Sequence, residues 1–160
     1  MTTIEKDGYI FAVDLEKTRE YYGRNTLCQC CNCRNYYAQA WEKFPKLGAF
    51  LEEFGVDIQR PDELGSIDLE NRIDYLSADF TVCGRVEKWA GYEFDIPDEC
   101  PVSVSVHDGY VSPNEQTGEY FTFCVWNINL PWVLDEPFPV PPVVDAGEKK
   151  KGFFQRLFRK

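Results

Sequence analysis

A long hydrophobic run is missing from this 160-residue sequence. No apolar stretch approaches the ~20 residues that a membrane-spanning helix needs. The first seven residues, Met1–Asp7, also lack the apolar segment of a secretory signal peptide. These two absences predict a cytoplasmic protein whose contact with a membrane, if any, is peripheral.

Catalytic motifs are missing as well. The sequence has no glycine-rich phosphate loop, no dinucleotide-binding fingerprint and no H-E-x-x-H pair. Its one histidine, His107, would need a nucleophile and a pocket to act as a general base, and no nucleophile motif accompanies it. We therefore expect a protein that is not an enzyme, with a hydrolase of unrecognised site as the remaining catalytic alternative.

Basic residues are scarce outside the C-terminus. The net charge is −10, and residues 148–160 hold six of the 17 basic residues but one of the 27 acidic residues. The rest of the chain therefore holds 11 basic and 26 acidic residues, a net charge of −15. Such a body repels phosphate, so no nucleic-acid binding is expected. A basic protein partner fits this charge, and so does simple solubility.

Hydrophobic periodicity predicts helices in the first half of the chain. An apolar run at 8–13 predicts a buried strand before them. Asp14 is a suitable N-cap for a short helix that ends at Gly23. Apolar residues spaced by three and four predict a second helix over about 30–43 and a third over 45–54.

Apolar and polar residues alternate in the second half, which predicts antiparallel strands. The strands are expected at 73–87 (broken at Gly84 if this stretch is a hairpin), 92–96, 102–107 and 120–130, the last with a bulge near Val125. The stretch 60–65 is predicted as a loop or a single turn. The acidic residues that lie close together after the third helix are predicted as a solvated loop; these are Asp62, Glu63, Asp68, Glu70 and Asp74. The order predicts an α+β fold, with an N-terminal strand and two or three helices packed on one face of an antiparallel β-meander sheet. The other, polar face would meet water or a partner.

The composition changes after the last predicted strand. We expect one α+β domain over 1–134, a Pro-rich linker over 135–148 and a basic amphipathic tail over 149–160. At 100° per residue the tail separates into two faces. Its apolar residues are Phe153, Phe154, Leu157 and Phe158, and its basic residues are Lys149, Lys150, Lys151, Arg156, Arg159 and Lys160. So short a helix is marginal in water, and the free tail should therefore be unfolded. We expect it to fold when its apolar face docks on an anionic membrane, on a partner or on the acidic body itself. The alternative is a disordered solubilising tail.

Four of the seven cysteines fall within six residues. Without an export signal they should be reduced thiols. Cys28, Cys30 and Cys33 have the spacing of one half of a zinc site. The fourth ligand would come from elsewhere in the chain, and the candidates are Cys83, Cys100, Cys124 and His107. Two alternatives stay open: a redox-active dithiol, and thiols that only pack like small apolar side chains.

Three segments resemble a group of small bacterial cytosolic proteins of no assigned function. They are L-C-x-C-x-x-C-R-N at 27–35, F-G-V-D-I-x-R-P-D-E at 54–63 and L-P-W-V-L at 130–134. Cys31 is an extra thiol within the first pattern. The resemblance implies a bacterial origin and no particular activity. In size, acidity and layout alone, the chain also resembles immunity proteins that neutralise polymorphic toxins.

These observations support two functional hypotheses. The first is a non-enzymatic protein-interaction module, immunity-like, whose acidic sheet face meets a basic partner and whose tail docks on a membrane surface or a partner. The second is a zinc-thiolate protein with a structural metal site at Cys28, Cys30 and Cys33.

Overall fold

The computed structural model describes residues 1–69, 72–91, 93–109 and 118–139. Its helices are α1 (Leu15–Arg24), α2 (Cys31–Tyr37), α3 (Ala40–Lys43) and α4 (Pro45–Glu53). Its strands are β1 (Thr2–Lys6), β2 (Tyr9–Val13), β3 (Glu63–Asp68), β4 (Arg72–Lys88), β5 (Glu93–Asp95), β6 (Ser103–Asp108) and β7 (Tyr120–Pro131). The predicted α+β class is confirmed. The predicted tail, residues 149–160, lies outside the described residues, as does most of the predicted linker.

The chain begins with a hairpin, of which the sequence predicts only the second strand. β1 pairs antiparallel with β2. The two residues between them, Asp7 and Gly8, have φ angles of 49° and 85°, the left-handed pair that a tight hairpin turn requires. β1 escapes prediction because it is an edge strand with mostly exposed, polar residues.

The single helix predicted over 30–43 is wrong, because α2 and α3 are separate. The break lies at Ala38 and Gln39, where Gln39 has a φ of −138°. The Gln39 side chain donates to the carbonyl oxygen of Pro131 at 2.9 Å, and Asn35 donates to the same oxygen at 3.1 Å. These bonds attach the turn between α2 and α3 to the end of β7. The helix predicted after Pro45 is confirmed as α4.

β4 is the organising strand of the sheet, whose order is β1-β2-β4-β7-β6-β5 with β3 also paired to β4. It continues through Gly84 without a break. β7 runs along one side of β4, and β3 and then β2 occupy the other side. The predicted loop at 60–65 is therefore wrong in part, since residues 63–65 belong to β3. The solvated loop predicted for the acidic residues is also wrong for Glu63 and Asp68 of β3 and for Asp74 of β4. The polar and acidic side chains of β3 interrupt the alternation of apolar residues by which a strand is recognised in a sequence.

Between β3 and β2, side chains rather than a strand close the edge of β4. The N–H of Thr81 donates to Asp62 Oδ2 at 2.9 Å, and its carbonyl oxygen accepts from the Tyr22 hydroxyl at 2.9 Å. The N–H of Cys83 donates to Thr18 Oγ1 at 3.1 Å. Because buried backbone groups need partners, the bonds made by Tyr22 and Thr18 hold α1 against the sheet.

Aromatic rings fill the space between the helices and one face of the sheet. Phe54, just after α4, packs edge-on against Phe11 of β2 and Phe123 of β7, with ring centroids 5.2 and 4.8 Å apart. All three residues are fully buried. The change of phase predicted in β7 lies at Asn127, whose φ is 65°. The predicted bulge near Val125 is wrong, because the pairing of β7 with β4 keeps one register along the strand.

The opposite face of the sheet is polar, but its centre is closed to water. Five of its residues are less than a tenth exposed, namely Asp79, Thr81, Ser103, Ser105 and Thr122. The prediction that this face meets water or a partner is thus wrong for its centre. Neighbouring side chains contribute to the closure: Trp126 Nε1 donates to Ser105 Oγ at 2.7 Å, and His107 Nε2 lies 2.8 Å from the same oxygen.

Candidate metal centre

The cysteine segment is attached to the sheet through Asn32 of α2. The Asn32 side-chain amide donates to Asp68 Oδ1 at 2.8 Å and to Ser66 Oγ at 3.1 Å, both on β3. The backbone carbonyl oxygen of Asn32 accepts a hydrogen bond from the Tyr75 hydroxyl of β4 at 2.7 Å. The start of α2 is therefore held by two adjacent strands, and the thiols on either side of Asn32 have a fixed support.

A second set of contacts joins α2 to the segment that follows β7. Asn35 is fully buried, and its Oδ1 accepts from the N–H of Val133 at 2.9 Å. Arg34 pairs with Glu136 at 2.5 Å, and its Nε donates to the carbonyl oxygen of Gln29 at 3.0 Å. The last bond also fixes the loop between Cys28 and Cys30, so the cysteine segment is constrained from both ends.

The structure brings together the three cysteines that the sequence singles out. The Sγ atoms of Cys28, Cys30 and Cys33 all lie within 4.8 Å of one another. Cys28 and Cys30 are exposed, and Cys33 is half-buried on α2. In a tetrahedral site with Zn–S distances of ~2.3 Å, two sulfurs are about 3.8 Å apart. Small side-chain rotations would therefore close this triangle on one ion.

None of the predicted fourth ligands joins this cluster in the described structure. Cys83 and Cys124 are buried in β4 and β7, Cys100 is exposed before β6, and His107 lies on β6. Cys31, the neighbour in sequence, also stays outside the group, with its Sγ 3.5 Å from Asn32 Oδ1. The expectation that one of those four residues completes the site is wrong in this structure, because among the described residues only Cys28, Cys30 and Cys33 bring their ligand atoms within 4.8 Å of one another.

Hydrogen bonds and burial move the pKa values of two of the thiols in opposite directions. The backbone of Cys30 lowers the pKa of the Cys28 thiol, and hydrogen bonds with the Cys30 and Cys33 thiols lower it further. Burial raises the pKa of the Cys33 thiol, and the two neighbouring thiols raise it more. Without a cation, Cys28 therefore ionises before Cys33. A bound cation would favour all three thiolates.

A cavity of about 390 Å³ borders the three thiols. Leu27, Tyr37 and Leu64 line it, together with the acidic residues Asp62 and Glu63. Burial raises the pKa of the Tyr37 hydroxyl. The charge of the nearby Cys33 thiolate and a hydrogen bond with Cys33 raise it further, so the hydroxyl stays protonated beside the sulfur. The volume lies in the lower part of the range of small-molecule sites.

Sequence reasoning missed a polar network on the outer sheet face. Asp79 faces Cys124 across β4 and β7, and Cys124 faces Ser105 across β7 and β6. Ser105 in turn contacts His107 and Trp126. The alternating polar positions of the three strands were the available signal, but the strand order that aligns them is not readable from the sequence. Because the centre of this network is buried, a substrate cannot reach it, and its hydrogen bonds stabilise the sheet.

No family model, curated protein or solved structure matches this chain. No helix among the described residues is long and apolar enough to cross a membrane.

Proposed function

We propose that this protein binds one zinc ion through the thiolates of Cys28, Cys30 and Cys33. The observation that carries the proposal is the mutual approach of three Sγ atoms within 4.8 Å. Thiolate sulfur is a preferred ligand of zinc and of other soft or borderline ions. A bound ion would link the exposed loop at Cys28 and Cys30 to α2, and through Asn32 to the sheet.

Elemental analysis of protein purified without added metal tests this proposal. We expect about one equivalent of zinc per chain, and less than about a tenth of an equivalent would contradict the site. Serine at Cys28, Cys30 or Cys33 should each abolish stoichiometric binding. Cys31→Ser is the matched control, since it changes a thiol of the same helix start that lies outside the cluster. Equal metal loss in all four variants would point to general misfolding instead of ligation.

A second proposal is that the chain is an immunity-like protein-interaction module with a basic partner. The uneven charge supports it, with a net −15 on residues 1–147 and a net +5 on the last thirteen residues. Exposed acidic residues occur on separate elements, including Glu20 of α1, Glu63 of β3 and Glu93 of β5. Binding of this kind weakens with salt, because the screening length is ~10 Å at 0.1 M. A pull-down at low salt that returns no protein partner would count against it.

The tail belongs to the second proposal and has its own test. The full-length protein should co-sediment with anionic vesicles, since each basic residue near such a surface contributes about 1 kcal/mol. A chain ending at Asp145 should not, and neutral vesicles should bind neither. Tail docking is wrong if the full chain ignores anionic vesicles and its tail gains no tryptic protection from a partner or from its own domain.

A further inference from the structure

The three thiols are an incomplete ligand set for zinc. Structural zinc sites are closed by four protein ligands, whereas sites that bind an exchangeable molecule use three and leave one position open. Within the described ranges, the Cys, His, Asp and Glu residues form one group with ligand atoms within 4.8 Å of one another, and it has three members. The geometry is therefore that of an open centre, in contrast to the closed structural site expected from the sequence.

The open side of the centre is accessible. Cys28 and Cys30 are exposed, so two of the three sulfurs lie at the protein surface. The cavity of about 390 Å³ lies beside all three. A small donor group can reach the ion there without displacing a protein ligand, and Leu27 and Leu64 provide apolar walls for it.

Charge selects the class of donor. Zinc with three thiolates carries one net negative charge, and Asp62 and Glu63 line the same cavity. These negative charges disfavour the binding of a further anion at the open position, but they do not disfavour a neutral nitrogen ligand. We propose that the fourth position is filled from outside the thiol cluster by a neutral donor of the imidazole class. This inference rests on the proposed zinc site and adds to it the class of the fourth ligand.

Cobalt substitution in the full-length protein tests the inference, because Co²⁺ reports its own ligand set through its visible absorption. With one equivalent of Co²⁺ under reducing, anaerobic conditions, imidazole should shift the absorption bands saturably. Azide and acetate at the same concentration should shift them at least several-fold less. Glu63→Gln should reduce the difference between the band shifts caused by imidazole and by azide. It should leave the cobalt stoichiometry at one ion per chain. Cys31→Ser should respond to imidazole as the unaltered protein does.

Each contrary result has a distinct meaning. A cobalt spectrum that ignores imidazole overturns the open position while the metal site stands. If imidazole sensitivity appears only in Cys31→Ser, Cys31 is the fourth ligand and the inference is wrong. Equal or stronger shifts with azide overturn the neutral-donor assignment. A protein that takes up neither cobalt nor zinc removes the proposed function, and the inference with it.

Discussion

The hydroxyl of Tyr75 donates a hydrogen bond to the backbone carbonyl oxygen of Asn32 at 2.7 Å. It also accepts one from the Asn35 side-chain amide at 3.2 Å. Tyr75 is almost fully buried in β4, and Asn32 lies directly before Cys33. One side chain of the sheet therefore supports the helix start that carries Cys33, one of the three proposed zinc ligands.

Replacing Tyr75 with Phe should destabilise the protein and its cysteine segment. The change removes a partner from the half-buried Asn32 carbonyl and from the buried Asn35 amide, so the free energy of unfolding should fall by about 1–3 kcal/mol. Urea denaturation of the metal-free protein measures it. Tyr120→Phe, at the half-exposed start of β7, is the control and should change little. Identical stabilities for the unaltered protein and Tyr75→Phe would show that this bond does not hold α2.

The thiols of the metal-free protein should differ in their reaction with iodoacetamide. Cys28 is exposed and its pKa is lowered, so it should be alkylated faster than Cys33 at neutral pH. Cys33, with its raised pKa, should need a higher pH to react. Peptide mass spectrometry over a pH series measures both rates, and one equivalent of zinc should protect all three cluster thiols. Faster alkylation of Cys33 than of Cys28 would contradict this electrostatic ordering.

Asp79 should make stability depend on pH. Burial raises its pKa, an effect that the facing Cys124 thiol partly offsets. The unfolded protein therefore loses this proton first, and stability falls as pH rises from the ordinary carboxyl pKa of about 3.9 towards the higher folded value. Asp79→Asn removes this titration, so its stability relative to the unaltered protein should improve between pH 4 and pH 7. Urea melts at both values measure it.

Asp108→Asn, at an exposed acid on β6, is the matched control for that series. It should follow the unaltered protein at both pH values. If Asp79→Asn loses the same stability at pH 4 and at pH 7, the side chain contributes through its hydrogen bonds and not through its ionisation.

Two glycines should respond in opposite directions to alanine. Gly84 of β4 has a φ of 143°, and a Cβ there would lie 2.2 Å from the carbonyl oxygen of Ala12. Gly84→Ala should therefore cost about 3 kcal/mol or more, since backbone on both sides must shift. Gly23 in α1 has open space around the same position, so Gly23→Ala should stabilise the helix by roughly 0.5–1 kcal/mol. Thermal melts compare the two, and a tolerated Gly84→Ala would show that β2 and β4 are less tightly paired.

The sequence predicts well those elements whose periodicity matches their burial. α4 was predictable because its apolar residues recur at helical spacing after Pro45, and β7 because its residues alternate. β1 and β3 were not, since both are edge strands with polar or acidic side chains. The break between α2 and α3 depends on Gln39 reaching Pro131, a contact between residues 92 positions apart.

The sequence by itself determined the class of fold and the identity of the three cluster thiols, because both depend on local spacing. Only the tertiary structure decided how many ligand atoms the proposed metal site brings together. Cys83 and Cys124 are buried in β4 and β7, outside the cluster, so that three sulfurs meet and a fourth does not. Strand pairing between distant residues depends on the whole chain, and no local pattern of charges or apolar residues specifies it.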